Sequence, residues 1–316
     1  MTELVSYQTS DSDEIAGALT GWEQHYTQLG SGCLSAELVR VSLPDATLFL
    51  ESSNLHIQQN MCPPHGQVVI GIPLFTSGGS LFNGLPLDSQ SLLVLEGDRE
   101  LEISAIGQLR MLGLCLDLTA AEDILDTSEY LQLTAALEKR KITLSAQAAQ
   151  SVRGTLLNSL EVFRKASLDA ESLRSCSAIV AAGLQNAIGG ISEALGSISS
   201  QSLDRKAAIG RRRLVLAAIE EMRSDLSMPL AVEALCLKLG TSERTLQYCF
   251  RQICGTTPQQ FFLALRLEEG KRRLKFSPSH SITEIAFELG FSSSSHFSAL
   301  YRRLYGNCPS LFRNGH

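Results

Sequence analysis

The chain has 316 residues, 44% of them hydrophobic, which is enough for two domains with cores of their own. Charge is split unevenly: from Arg205 onward 17 Lys and Arg face 9 Asp and Glu, a net of +8, whereas the residues before it net −14. The split excludes a chain that meets a polyanion along its whole length and assigns that role to the basic last third.

In chain order, "DEIAGALTGWEQHYTQL" (13–29) places Ile15, Leu19, Trp22, Tyr26 and Leu29 at helical spacing behind an acidic first turn, so a helix is expected there. From 33 to 118 the texture changes to short apolar runs: "LSAELVRVSL", "ATLFLES", "LHIQQNM", "QVVIGIPLF", "QSLLVLEG" and "LRMLGLCLDL". Gly, Pro, Asn, Asp and Ser punctuate them. Strands of that length and spacing predict a small antiparallel barrel or sandwich. Helices follow over 120–139, 145–166 and 171–195. The last presents Leu173, Cys176, Val180, Leu184, Ala187, Ile188 and Ile191 on one face, which fits a dimer seam or the side of a helix packed on the barrel. "GSISSQSLDR" lacks hydrophobic periodicity and reads as a linker over 196–206. It divides a 1–195 regulatory and dimerisation domain, with its barrel at 33–118 and helices at 119–195, from a basic domain at 207–316.

The eight cysteines form no C-x-x-C pair and mostly fall in apolar segments, as small buried hydrophobes do in a reducing compartment. "MTELVSYQTSDSDE" has no signal-peptide pattern, and no apolar run approaches the ~20 residues that span a bilayer. A soluble cytoplasmic protein with no membrane partner is expected.

The basic domain contains an internal repeat. Val232, Leu235, Leu239 and Gly240 recur 50 residues later as Ile282, Ile285, Leu289 and Gly290. Leu246, Phe250, Arg251, Ile253, Gly255, Pro258 and Phe261 recur 51 residues later as Phe297, Tyr301, Arg302, Leu304, Gly306, Pro309 and Phe312. The extra residue falls in the Gly turn, where a loop absorbs it. Each copy reads as helix, tight turn, helix: a helix-turn-helix at 231–254 and another at 282–305, whose second helices would enter the major groove N-terminus first.

These residues resemble a known family. "LGTSERTLQYCFRQICGTTPQQFFLALRLEEGKRRL" with "ITEIAFELGFSSSSHFSALYRRLYGNCPSLFR" is similar to the DNA-binding domain of AraC/XylS-type transcription regulators. "LTGWEQHYTQL" with "VVIGIP" resembles the regulatory half of ethanolamine-operon-type activators and related pseudomonad regulators, and carries no ligand with it. The resemblance implies a cupin-like antiparallel β-barrel with flanking helices (α+β), then an all-α double helix-turn-helix domain. It also implies promoter DNA and RNA polymerase as partners and a homodimer formed through the N-terminal helices.

On the first second-helix the apolar Leu246, Phe250 and Ile253 must face the core, which frees Arg244, Gln247, Tyr248 and Arg251. Arg pairs bidentately with guanine and Gln with adenine, each worth about 1–3 kcal/mol of discrimination. Arg244, Gln247 and Tyr248 match the family's base-reading positions, although many members carry a basic residue where Tyr248 stands. In the second copy the matching residues are Ser295, Ser298 and Ala299, flanked by Ser294 and His296. Ser294, Ser295, His296 and Ser298 are thus candidate readers without strong bidentate groups. Direct specificity is expected mainly from the first unit, and position and affinity from the second.

Ser242 and Ser293 are candidate helix caps and phosphate contacts, with Arg251, Arg302 and Arg303 as further phosphate contacts. The connecting segment "PQQFFLALRLEEGKRRLK" reads as a helix of about 17 residues, roughly 26 Å long. That length suits two recognition helices in grooves about 34 Å apart. Within it Arg266 fits an ion pair or a DNA contact, Lys271, Arg272 and Arg273 fit phosphates or a solvated face, and Gly270 should cost about 1 kcal/mol of helix stability.

An enzyme would need chemistry that the sequence lacks. The strand region offers only His56, His65 and Glu51 as metal ligands, with no H-x-H, and no nucleophile motif or phosphate-binding Gly loop occurs. A metal-dependent cupin enzyme is therefore the weaker reading; neither catalysis nor a metal or other cofactor is expected. Two uses of the N-terminal domain stay open: a small-molecule effector pocket, with Phe49, Ile70, Ile72, Phe75 and Leu93 as candidates, or a ligand-independent platform that only dimerises or meets protein partners.

Overall fold

The computed structural model describes residues 3–165, 170–196, 202–277 and 279–314. Strand β1 (Glu3–Thr9) and the short helix α1 (Ser12–Gly17) open the chain, and β2 (Glu23–Gln28), β3 (Ala36–Ser42), β4 (Ala46–Ser53), β5 (Ile57–Cys62) and β6 (Gln67–Thr76) follow. Then come β7 (Leu81–Phe82), β8 (Leu85–Pro86), β9 (Ser91–Glu96), β10 (Leu101–Ala105) and β11 (Leu109–Asp117). Helices α2 (Leu118–Ile124) and α3 (Thr127–Lys139), strand β12 (Lys141–Thr143), and helices α4 (Ala146–Lys165) and α5 (Ala170–Gly196) complete the N-terminal domain.

The strands form two antiparallel sheets. One runs β1-β3-β4-β11-β6-β9-β12 and the other β2-β5-β10-β7-β8. Two open sheets pack face to face, and among the described residues no ladder joins them into the closed form of the expected cupin-like barrel. All six expected apolar runs are strands. The helix expected over 13–29 is not: α1 ends at Gly17, Gly21 turns at φ +81°, and 23–28 becomes β2 against β5. There Tyr26 lies opposite Gln59 and is buried between the sheets.

Alternation on the seven-stranded sheet separates two cores. Ile70, Ile72, Leu112 and Leu114 face α4 and α5, while Phe49, Leu93 and Met111 face the other sheet. The apolar face of α5 that fits a dimer seam is used here: Val180, Leu184, Ala187, Ile188 and Ile191 are buried in the sheet–helix core, whereas the side chains of Leu173 and Cys176 lie outside the described residues. The 19 residues Ala178–Gly196 have a mean hydropathy of 1.2, apolar enough for a membrane span by composition, yet this same face is the one packed on the sheet. Of the expected linker, 197–201 lies outside the described residues and Ser202 onward is already helix.

The C-terminal domain consists of α6 (Ser202–Ser224), α7 (Val232–Lys238), α8 (Glu243–Cys254), α9 (Pro258–Phe276), α10 (Ile282–Glu288), α11 (Ser294–Tyr305) and α12 (Pro309–Asn314). Each repeat unit has its own core, one around Leu246, Phe250 and Phe261 and one around Phe297, Tyr301 and Ile285. Helix α9 starts with a capping box, Thr257 with Gln260, and with Pro258 in its first turn. It contributes Phe261, Phe262 and Leu265 to one core and Ala264, Leu267 and Leu274 to the other, so one rigid rod carries both units.

Gly270 is explained by space. A Cβ there would stand 2.8 and 3.0 Å from Phe297 ring carbons and 3.3 Å from Leu289, so the glycine lets α11 close onto α9. Gly270→Ala should gain about 1 kcal/mol of helix propensity and lose about 1–3 kcal/mol to overpacking. A net drop in urea-unfolding stability is expected, and a more stable variant would contradict this packing argument.

Candidate nucleic-acid interface

Both second helices start on a capping serine. The Ser242 hydroxyl accepts from the Thr245 amide at 3.1 Å, and the Ser293 hydroxyl accepts from the His296 amide at 3.1 Å. The caps fix where each recognition helix begins, worth about 1 kcal/mol apiece. They also commit one acceptor site on each hydroxyl. The turns before them depend on Gly240 and Gly290, at φ +62° and +69°. A side chain at Gly290 would in addition drive into the Ser227 carbonyl.

On α8, Leu246, Phe250 and Ile253 are buried as expected, and the opposite face lies open. Glu243, Arg244, Gln247, Tyr248, Arg251 and Gln252 line a groove of about 660 Å³. Arg244 and Arg251 are exposed, and Tyr248 remains 52% exposed although it is large and aromatic. The Gln247 amide nitrogen donates to the Glu243 carboxylate at 2.9 Å. Glu243 and Gln252 are groove residues that the sequence reading missed. The available signal was their position: Glu243 lies one turn before Gln247, and Gln252 one turn and a residue after it.

On α11, Phe297, Tyr301 and Leu304 turn inward, while Ser295, His296, Arg302 and Arg303 are exposed. Ser294 and Ser298 are half-buried. The His296 ring is held from two sides, by Ser292 (Oγ to Nδ1, 3.1 Å) and edge-on by Phe291 at 6.0 Å between ring centres. The serine run therefore has divided duties: Ser292 orients His296, Ser293 caps, and Ser294 and Ser295 form the first turn at the tip.

The basic residues of α9 serve the fold. Arg266 donates through Nε to the Leu289 carbonyl at 2.6 Å, with a second donation from its Nη2, and its guanidinium lies 4.3 Å from the Phe291 ring centre. It satisfies the C-terminus of α10 at the turn of the second unit, and burial lowers its pKa. Arg272 and Arg273 pair with Glu269, and Arg273 also with Glu288 at 2.6 Å. Lys271 is buried; its ammonium meets Asp11, and Ser12 at 3.0 Å, in the N-terminal domain. Lys275 reaches the same Asp11 at 2.7 Å.

These ion pairs belong to a wider seam between the domains. The Leu304 carbonyl, near the end of α11, accepts from the Gly32 amide at 2.9 Å and from the Gln28 side chain at 2.8 Å. Glu268 of α9 takes Thr27 at 3.0 Å and His25 at 2.8 Å. Near the end of α8, Gly255 lies beside Ile106 and His56. Arg212 of α6 faces buried Glu102 at 3.5 Å. The N-terminal domain thus rests on the trailing ends of both second helices and on the middle of α9, leaving their leading ends open.

The five candidate pocket residues do not line one cavity. Ile70 and Ile72 sit in the sheet–helix core, Phe49 and Leu93 in the inter-sheet core, and Phe75 is 48% exposed. A register shift between Arg110 and Met111 places Phe75 opposite the former and Pro73 opposite the latter, which breaks the alternation that would have aligned Phe75 with its neighbours. The three candidate metal ligands are not brought together either. Glu51 accepts from Tyr26 between the sheets at 2.5 Å, His56 packs at the seam, and His65 pairs with Asp98 in the open. Among the described residues no group of three potential ligands forms.

Comparison with known proteins bears on the same region. Residues 235–315 match the helix-turn-helix domain family model, from within α7 to the end of the second unit. The match places an AraC-type helix-turn-helix domain in the last third of the chain, which in this respect is similar to AraC/XylS-family transcription regulators. Relatives include the HTH-type transcriptional regulator GlxA of Rhizobium meliloti, 37% identical over 31% of this chain and 30% of that protein. The HTH-type transcriptional activator RhaS of Salmonella arizonae is 41% identical over 26% of this chain and 30% of its own length. The match thus spans less than a third of either relative. A transcriptional regulator from Chromobacterium violaceum with an AraC-type DNA-binding domain is 32% identical over 33% of this chain and 93% of that one, with a TM-score of 0.32.

Proposed function

We propose that this chain is a sequence-specific regulator of the AraC/XylS type that reads promoter DNA with α8 and α11 in adjacent major grooves. The observation that carries it is the open α8 groove, where Arg244, Gln247, Tyr248 and Arg251 project from a helix whose other side is sealed in its core. Arg244 supplies a bidentate donor for guanine and Gln247 a donor–acceptor pair for adenine. Arg251, Arg302 and Arg303 neutralise phosphates, and the capped leading ends of α8 and α11 point the positive end of each helix dipole at the backbone. Helix α9, 19 residues and about 28 Å long, sets the spacing of the two readers.

Homodimerisation and contact with RNA polymerase belong to the same proposal. The apolar face of α5 is buried in the sheet–helix core of one chain, so a homodimer would form through the outward faces of the N-terminal domain. Small-molecule control has one observation in its favour: a polar network of Tyr26, Gln59, Gln24 and Glu51 between the sheets, beside the edge-to-face rings of Trp22 and Phe49. Burial raises the pKa of the Glu51 carboxyl there. Such a network in an apolar core is a place for a small ligand with a polar end, shared between two conformational states that bind it unequally.

The test is a salt-dependent binding titration of the full chain against a random duplex pool, with sequencing of the survivors. A two-part motif bound more weakly as salt rises is expected; a pool with no enriched sequence contradicts the reading. Because α11 lacks bidentate groups, Ser294→Ala with Ser295→Ala should leave the recovered motif nearly unchanged. A collapse of specificity in that variant would show the second unit to be the main reader.

A further inference from the structure

We infer that Glu243 is a specificity-determining residue of the α8 reader, acting both on Gln247 and on the DNA directly. This rests on the proposed DNA-reading role of α8. Glu243 is the only anion among the six residues lining the α8 groove, which also holds two arginines and two glutamines. It is exposed, the first residue of the helix, and so stands at the end that enters a major groove foremost. A carboxylate at that place gains nothing from the phosphate backbone, which repels it. Its hydrogen bond in the structure is to Gln247, one turn on, at 2.9 Å.

That bond has a consequence for base reading. The Gln247 amide has two N–H groups and one carbonyl oxygen, and pairing with adenine uses one N–H toward N7 and the oxygen toward the N6 amino group. Glu243 takes the other N–H. The amide plane is then fixed before DNA arrives, and its donor and acceptor ends cannot interchange without losing a charge-assisted hydrogen bond. The remaining carboxylate oxygen is an acceptor only. Guanine N7 and O6 and thymine O4 repel it, whereas the amino groups of cytosine and adenine donate to it. Glu243 therefore restricts the base pair beside the Gln247 adenine to one that offers an amino group, and by taking one N–H it prevents Gln247 from donating both to the N7 and O6 acceptors of a guanine.

The two roles separate experimentally. Full-length wild type, Glu243→Gln and Glu243→Ala are each selected against the same random duplex pool. Expected for the wild type is an adenine at the Gln247 position with cytosine or adenine beside it. Glu243→Gln should keep the adenine, because its own amide oxygen still holds Gln247, but should admit guanine or thymine beside it. Glu243→Ala should lose both preferences, with discrimination at the adenine falling by about tenfold, while overall affinity for non-cognate duplex rises as the repulsive charge is removed. An enriched wild-type motif that both variants reproduce unchanged overturns this inference alone. A wild-type pool without any motif overturns the DNA-reading role beneath it and the inference with it.

Discussion

Arg244→Ala is expected to weaken cognate-site binding by about 1–3 kcal/mol, roughly 5- to 150-fold, and to relax one base position of the motif. The reasoning starts from the helix itself. Leu246, Phe250 and Ile253 are sealed in the first-unit core, so α8 cannot rotate to present another face, and Arg244 is fixed on the open side by its distance from those anchors. The helix start is fixed too, because Ser242 caps it at 3.1 Å through the Thr245 amide. An exposed arginine in the first turn of a capped recognition helix contributes little to folding, so the variant should unfold at the wild-type temperature. Loss of affinity that is equal for cognate and random duplex would make Arg244 a phosphate contact, and an unchanged motif would remove it from the reading set.

The second large effect concerns the seam. Lys271 and Asp11 each keep only 5% of their side-chain surface exposed. Burial alone would raise the pKa of Asp11, but the Lys271 charge and the hydrogen bonds from Lys271 and Lys275 outweigh it and hold the carboxyl below its ordinary value. Lys271→Met removes one partner and leaves the carboxylate buried. Such a change costs about 3–5 kcal/mol, toward the lower figure here because Lys275 stays at 2.7 Å.

Adding Asp11→Asn should recover part of that loss, since the buried charge is then gone while the side-chain oxygen that caps α1 remains. A thermal scan of both variants at neutral pH measures this; a loss below about 1 kcal/mol for Lys271→Met would mean that the pair does not hold the seam. The depressed Asp11 pKa sets the pH sense as well. Its contribution is present above the ordinary carboxylate range and is lost as pH falls through the lowered folded-state value, so the seam should weaken on acidification.

The repeat made the C-terminal architecture legible. Helices α7, α8, α10 and α11 form where caps, Gly turns and apolar spacing all act within about 25 residues and agree with one another. The six main strands were legible for the same local reason. The failures are places where distant residues decide. At 13–29 the apolar spacing is helical, but Gly21 turns the chain and β5 offers an edge, so pairing wins over periodicity.

Gly270 reads as a weak helix residue until Phe297, from another helix, occupies the space its side chain would need. Lys271 reads as part of a basic stripe, yet its carboxylate partner Asp11 lies near the other end of the chain, whereas Arg272 and Arg273 pair with Glu269 on the same helix and Arg273 also with Glu288. Alternation separates the candidate pocket residues Ile70 and Ile72 from Phe49 and Leu93, and a bulge, which no alternation pattern reveals, sets Phe75 apart from both. On the open side of α8, Arg244, Tyr248 and Arg251 are exposed and Gln247 is half-buried. Glu243 was passed over because a carboxylate does not look like a DNA ligand until its bond to Gln247 is seen.

In the proposed function, two recognition helices on one rigid rod read two adjacent major grooves. The direct measurement is binding of the full-length protein to its selected site with 0, 5 or 10 base pairs inserted between the two elements. Because α9 fixes the separation, both insertions should reduce affinity at least tenfold toward that of one element alone, the five-base-pair insertion also by turning the second element to the opposite side of the duplex. Equal affinity for all three duplexes would show that only one unit reads DNA and would contradict the account.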